Sequence, residues 1–470
     1  MWDFKQFSNH VAALDDKGNQ IHYEELLEEN SKTAYVLGRR CLVFIFCTNS
    51  IGSLTAYVNC INNRVVPLLL AKNLDGELRG QLIEKYKPDY LWIPEDMEKE
   101  FAKYTPKYKA YGYTLLETGY KNIYSLYDEL CLLLTTSGST GSPKLVRQSY
   151  GNVLSNAESI AQYLELTSTE RPITTLPMNY TYGLSIINSH LLVGATILFT
   201  EKGLLQKDFW VFFKDAGATS FGGVPYTYEI LDKLNFLQME LPSLRTMTQA
   251  GGKLQPELHK KFAEYAMEKK KRFFVMYGQA EATARMSYLP YQKSLEKYGS
   301  MGIAIPGGKF TLIDTAGKEI HEINTTGELI YEGPNVTLGY AECGEELIKT
   351  DERHGRLETG DMARMDEDGY FYIVGRKKRF LKIFGNRVNL DEIDRLVKAN
   401  FSEIDCASSG RDDNLYVFIT ENDMEKKVRH FLSEKTRLNP ASFTIKTISV
   451  IPRNESGKIL YNELTQYIEG

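Results

Sequence analysis

The stretch Thr136-Ser137-Gly138-Ser139-Thr140-Gly141-Ser142-Pro143-Lys144 combines hydroxyls, glycines and a closing lysine. That is the chemistry of phosphate binding. Glycines let successive backbone N–H groups converge on anionic oxygens, hydroxyls add neutral donors, and the lysine supplies a point charge. The spacing is not the GxxxxGK[ST] pattern, because Gly138 and Lys144 stand at a different separation and Leu145 follows the lysine. A Ser/Gly-rich surface turn would share this composition, so the reading depends on what accompanies the loop.

Four further stretches accompany it. They are Gln249-Ala250-Gly251-Gly252, Tyr277-Gly278-Gln279-Ala280-Glu281, Thr359-Gly360-Asp361 with Gly375-Arg376, and Pro452-Arg453-Asn454-Glu455-Ser456-Gly457-Lys458. In this order, from about Leu132 to Leu460, they resemble the motifs of the adenylate-forming superfamily of acyl-CoA synthetases, peptide-synthetase adenylation domains and luciferases, the AMP-binding enzymes. The resemblance implies ATP-dependent activation of a carboxylic acid as an acyl-adenylate, release of pyrophosphate, and acyl transfer to a thiol. The acceptor is CoA or the phosphopantetheine of an acyl carrier protein.

The resemblance implies the following roles, residue by residue. Thr136, Ser137, Gly138, Ser139, Thr140, Gly141 and Lys144 take the phosphates. The ring of Tyr277 stacks on adenine beside Gly278, Gln279 and Ala280, and Glu281 holds Mg²⁺, since hard cations prefer carboxylate oxygen. Ala280 departs from the family's threonine and removes a hydroxyl expected near the α-phosphate. Gly251 and Gly252 permit close backbone approach to a ligand. Asp361 accepts from both ribose hydroxyls with Arg376 as companion; a solvated loop acid is the alternative for Asp361. Lys458 is the catalytic lysine, a cation placed between two anions that must meet in the transition state. Lys382 matches a lysine of the second half-reaction, Gly385 lies in the loop that lines the thiol tunnel, and Lys378 is the hinge. Lys377 and Arg379 read as a solubilising surface face.

Leu176-Pro177-Met178-Asn179-Tyr180-Thr181-Tyr182-Gly183-Leu184 resembles the segment beside the acyl pocket, with Tyr180 at the place of a histidine or aromatic residue. Val224 in Val224-Pro225-Tyr226-Thr227 adds to the same wall. No Asp or Glu occurs from Leu176 to Ala195, and a buried ammonium without a partner is costly, which disfavours an α-amino acid as substrate.

These residues need rigid elements to hold them. Short apolar runs alternate with amphipathic stretches through the first two-thirds of the chain, the pattern of strands joined by crossover helices. Leu42 to Phe46, Val65 to Leu70, Tyr90 to Ile93, Cys131 to Thr135, Thr196 to Phe199 and Phe273 to Tyr277 are expected strands of sheets covered on both faces. From about Gly327 the texture turns to glycine-punctuated β segments. Beyond Arg376-Lys377-Lys378-Arg379, helix-like Leu390 to Ala399 and Met424 to Leu432 alternate with strand-like Leu415 to Thr420 and Phe443 to Val450. The expected fold is α/β: a large N-terminal AMP-binding domain over 1–375, with layered sheets and a distorted β-barrel-like part, and a small mobile α+β domain over 376–470.

Composition sets the outer limits. A chain of 470 residues with 43% hydrophobic and 25% charged residues suits a folded protein of at least two domains. A net charge of −5 argues against nucleic acid as ligand. Six scattered cysteines without CxxC spacing read as free thiols of a reducing cytoplasm. No apolar run approaches the roughly 18 residues of a membrane span. An unrelated phosphate-loop switch and a degenerate, non-catalytic relative are the other readings. The non-Walker spacing argues against the first; retention of Lys144, Glu281, Asp361 and Lys458 argues against the second.

Overall fold

The structure is a computed structural model that describes residues 1–135, 144–383, 386–453 and 459–468. The described residues divide into two compact units, 1–135 with 144–309 and 331–357, and 310–330 with those from 358 to 468. The sequence boundary after Gly375 falls inside the second unit.

The first unit holds two large mixed sheets. In the eight-stranded one, Leu130–Thr135, Val66–Ala71, Leu42–Cys47 and Tyr90–Pro94 run parallel side by side, with antiparallel strands at both edges. Leu42–Cys47 shows why these runs become strands. Every residue in it is buried, and alternate side chains enter different cores: Val43, Ile45 and Cys47 one, Leu42, Phe44 and Phe46 the other. A period of two with both faces apolar is a strand covered on both sides. Ile51–Asn62, a helix buried along almost its whole length, starts from Ser50, whose hydroxyl accepts the amide of Ser53. It packs on strands of both sheets.

In the nine-stranded sheet the parallel centre runs through Val11–Asp15, Ile197–Phe199, Pro172–Ile173, Ser220–Gly223, Thr246–Gln249 and Arg272–Tyr277. All six strands expected from the sequence are present in these two sheets, with bounds shifted by a residue or so.

The second unit contains most of an open four-stranded sheet in which Arg356–Met365 pairs antiparallel with Phe371–Arg376. Where the sequence led us to expect a barrel-like part, no sheet among the described residues closes on itself. A three-stranded sheet of Cys406–Arg411, Asn414–Ile419 and Phe443–Thr447 shares one apolar core with helices Leu390–Asn400 and Glu425–Thr436. This is the expected α+β body. Among the described residues no helix is long and apolar enough to cross a membrane, and the cysteines are free thiols, all but Cys343 buried.

Candidate active site

Three neighbouring parallel strands of the first unit, Ser220–Gly223, Thr246–Gln249 and Arg272–Tyr277, deliver Val224, Gly251 and Tyr277 from their C-terminal ends, with Gly223 opposite Gln249 and Gln249 opposite Val275. Ligands of open α/β sheets bind at that edge. Gly251 has φ +81°, and a Cβ there would stand 2.6 Å from the Tyr180 hydroxyl and 3.0 Å from Val224 Cγ1. Tyr180 and Val224, expected from the sequence to share one wall, therefore stand together and Gly251 lies against both, while Gly252 lies against Pro225. Tyr180 is the N-cap of helix Thr181–Leu192. Its hydroxyl makes no hydrogen bond to any described residue, and burial pushes its pKa up to about 12, so it remains a neutral donor.

Glu281 lies beyond Gly278. A Cβ at Gly278 would fall 1.7 Å from the Ala284 carbonyl oxygen, so the glycine is required by backbone packing. Ala280–Ala282 is a single 3-10 turn. After it the chain reverses at Thr283, whose φ of +64° and ψ of −64° with a 2.7 Å bond from Ala284 N to Ala282 O make a strained γ-turn. The Thr283 hydroxyl donates to Asn335 O at 2.7 Å, and its own carbonyl accepts from the Thr181 hydroxyl.

The Glu281 carboxylate is held by Tyr340, whose hydroxyl donates to Oε1 at 2.6 Å. Tyr340 arrives on strand Gly339–Ala341, which pairs with Leu145–Ser149 and so lies beside Lys144. The Tyr340 ring is flanked by the Arg353 guanidinium at 4.7 Å and the Lys144 ammonium at 5.9 Å. Arg353 is fixed by bonds to Glu281 O at 2.9 Å and Thr337 Oγ1 at 2.6 Å. Lys144 pairs with Glu342 at 2.5 Å, both half exposed. The loop before Lys144 joins antiparallel strands, Thr135 opposite Leu145. A Walker loop instead runs from a strand into a helix.

Could Glu281 hold Mg²⁺? Its Oε2 has no hydrogen-bond partner among the described residues, and no cluster of three or more His, Cys, Asp or Glu side chains forms there or elsewhere among them. One carboxylate completed by phosphate oxygens and water is the usual protein share for Mg²⁺, so the site fits that ion. Tyr277 is half buried and its hydroxyl accepts from Gln279 at 3.0 Å.

In the second unit Asp361 and Arg376 stand directly opposite on paired strands, Nε to Oδ1 at 3.2 Å. The Asp361 side chain is 5% exposed, against 54% for Arg376. Asp361 is thus a buried strand residue and not a solvated loop acid. Lys382 is exposed on strand Phe380–Ile383. For Lys378 only the backbone, within the turn Lys377–Arg379, is described.

Arg379 corrects the surface reading of the basic run: it is largely buried, bonded to Asp391, to Asp394 at 2.8 Å and to Ser408 O at 3.0 Å, with Tyr461 at 4.0 Å. Lys377 stays exposed and pairs with Glu328 at 2.7 Å. Thr136, Ser137, Gly138, Ser139, Thr140, Gly141, Gly385 and Lys458 lie outside the described residues.

Sequence reasoning missed Tyr340, Arg353 and Thr283. The isolated polar ring inside apolar Leu338 to Ala341 was the one local signal among them.

The chain is 27% identical over 353 residues to 4-coumarate–CoA ligase-like 2 of Arabidopsis thaliana, a match covering 72% of this chain and 61% of that one. It therefore spans less than two thirds of that plant relative. It is also 27% identical to a 2-succinylbenzoate–CoA ligase of Bacillus cereus, over 82% of this chain and 81% of that one. Its fold matches ATP-bound MatB from Rhodopseudomonas palustris with a TM-score of 0.81 at 22% identity, over 98% of this chain and 96% of the other. With o-succinylbenzoate CoA synthetase from Bacillus subtilis in complex with an acyl-adenylate intermediate the TM-score is 0.77 at 22% identity, over 97% and 95%. The profile of the AMP-binding enzyme family matches residues 2–341, and the chain belongs to that family.

Proposed function

We propose that this chain activates a carboxylic acid with ATP, forming an acyl-adenylate and releasing pyrophosphate, and then passes the acyl group to a thiol. The observation that carries the reading is the Glu281–Tyr340 pair with Lys144 and Arg353 on the same ring. It brings one carboxylate and two cations to a single tyrosine ring, and those are the charges that would meet a Mg²⁺-bound polyphosphate.

In this reading Lys144 and the loop from Thr136 to Gly141 hold the phosphates, and Glu281 takes Mg²⁺, which supplies charge neutralisation when bound. Asp361 with Arg376 takes the ribose. Tyr180, Val224 and Gly251 wall the acid, Tyr180 offering a neutral donor and Gly251 leaving room for approach. Lys458 supplies the cation for attack of the carboxylate on the α-phosphate. The body beyond residue 376 turns about Lys378 between the half-reactions and presents Lys382 and Gly385 in the second. The names of the relatives reported above, a 4-coumarate–CoA ligase-like protein and a 2-succinylbenzoate–CoA ligase, favour CoA over a carrier protein as acceptor.

The test is pyrophosphate exchange across a panel of carboxylic acids, then product mass with CoA and with a phosphopantetheinylated carrier protein. Absence of acid-dependent exchange from folded protein sinks the reading.

A further inference from the structure

Arg285 stands on the turn that follows Glu281 and is 2% exposed. Its contacts are neutral. Nε donates to Ser185 Oγ at 3.1 Å, Nη1 to Tyr163 Oη at 3.1 Å and toward Met276 Sδ at 3.3 Å, and the guanidinium lies over the Tyr182 ring at 5.1 Å. Among the described residues no carboxylate lies within ion-pair distance of it, and Nη2 makes no hydrogen bond to any of them. Two comparable arginines differ: the fully buried Arg147 pairs with Glu352, and the largely buried Arg379 with Asp391 and Asp394. A buried guanidinium without an anion is costly, and the cost falls when an anion arrives.

Arg285 sits behind the acid wall. The Tyr182 ring meets that of Tyr180 edge to face at 6.4 Å, and the Tyr182 hydroxyl shares a 2.8 Å bond with Thr248, on the strand that leads to Gly251. Val224, Ala250, Met276, Tyr163 and Tyr182 form one apolar cluster with Tyr180 packed on it.

We infer that the acid carries a second carboxylate on its tail and that Arg285 receives it. The inference rests on the acid-activating reading above. On binding, the Tyr182 ring turns aside and the guanidinium exchanges a cation–π contact for an ion pair, its planar fork matching a carboxylate through two donors. Tyr163 and Ser185 keep the fork oriented.

The test uses pyrophosphate exchange with wild-type protein and acids of stepwise increasing length, each as dicarboxylate, tail monoamide and tail-methyl analogue. Arg285→Met and Arg285→Lys are run beside it, with folding checked by thermal unfolding. The best dicarboxylate should exceed its monoamide by at least about tenfold in kcat/KM, the effect of one lost bond to a charged group. Arg285→Met should abolish the ratio and Arg285→Lys keep part of it. Exchange in which monoamides or methyl analogues match the dicarboxylates overturns the inference and leaves the activating reading intact, as does a ratio that survives in folded Arg285→Met. Should Arg285→Met not fold, the wild-type ratio decides alone. No exchange with any acid overturns both.

Discussion

Tyr340→Phe removes one hydroxyl and leaves the ring that Lys144 and Arg353 face. The lost bond is the 2.6 Å contact to Glu281 Oε1. A hydrogen bond to a charged group is worth about 1.5–3 kcal/mol, and since both residues are only partly buried the lower end applies. If Glu281 holds Mg²⁺, a carboxylate freed to change rotamer binds the ion less well and orients it less often. The expected result is about a tenfold lower rate of acid-dependent pyrophosphate exchange, near 1.4 kcal/mol on the barrier, with a higher Mg²⁺ concentration at half-maximal rate. The melting temperature should hold within about 2 °C, because the ring contacts persist. Burial and Glu281 push the Tyr340 hydroxyl up to about 12. It is therefore a protonated donor throughout the neutral range, and the ratio of mutant to wild type should be flat from about pH 6 to about pH 9. The assay is exchange titrated with MgCl₂ at fixed ATP. Wild-type rate and wild-type Mg²⁺ dependence in folded Tyr340→Phe would refute the role given to the pair.

Gly278→Ala should cripple folding or soluble yield, since the new Cβ meets a carbonyl oxygen at 1.7 Å and the backbone must shift; a normal melting curve would contradict the packing argument. Asp361→Ala should weaken ATP binding by about 2–4 kcal/mol in calorimetry, from two non-additive bonds to a charged acceptor, with little loss of stability because a buried carboxylate also leaves; unchanged affinity removes Asp361 from the nucleotide site. Burial pushes the Asp394 carboxyl from 3.8 up to about 6 although Arg379 lies beside it. The folded chain thus holds this proton where the unfolded chain has lost it, and the contribution of this group to stability falls as pH rises from about 4 to about 6. Asp394→Asn should remove that component, and parallel pH–melting curves for mutant and wild type would show the assignment to be mistaken.

Strands such as Leu42–Cys47 were legible because both faces are apolar and a local run declares itself; the elements of the α+β body were legible from period alone. The contents of the site were legible only where a local pattern carried them. Tyr340 matters because Gly339–Ala341 pairs with Leu145–Ser149, a contact between distant parts of the chain that no window of sequence shows. Arg379 misled for a related reason. Charged residues are usually exposed, and what buries this one is Asp391 and Asp394, further along the chain on helix Leu390–Asn400. Asp361 was ambiguous until Arg376 stood across from it.

The two glycine motifs carry the argument one step further. Gly278 and Gly251 both came from stretches that resemble nucleotide-binding segments, yet the fold requires them for different reasons. At Gly278 the obstacle to a side chain is the Ala284 backbone, which no ligand can replace. At Gly251 it is the Tyr180 hydroxyl and Val224, side chains proposed above to wall the acid, and the backbone is left-handed as well. A motif reading assigns both to the cofactor. The geometry makes Gly278 a support for the turn that carries Glu281 and sets Gly251 against Tyr180 and Val224, so substitution should unfold the first and reshape the proposed wall at the second.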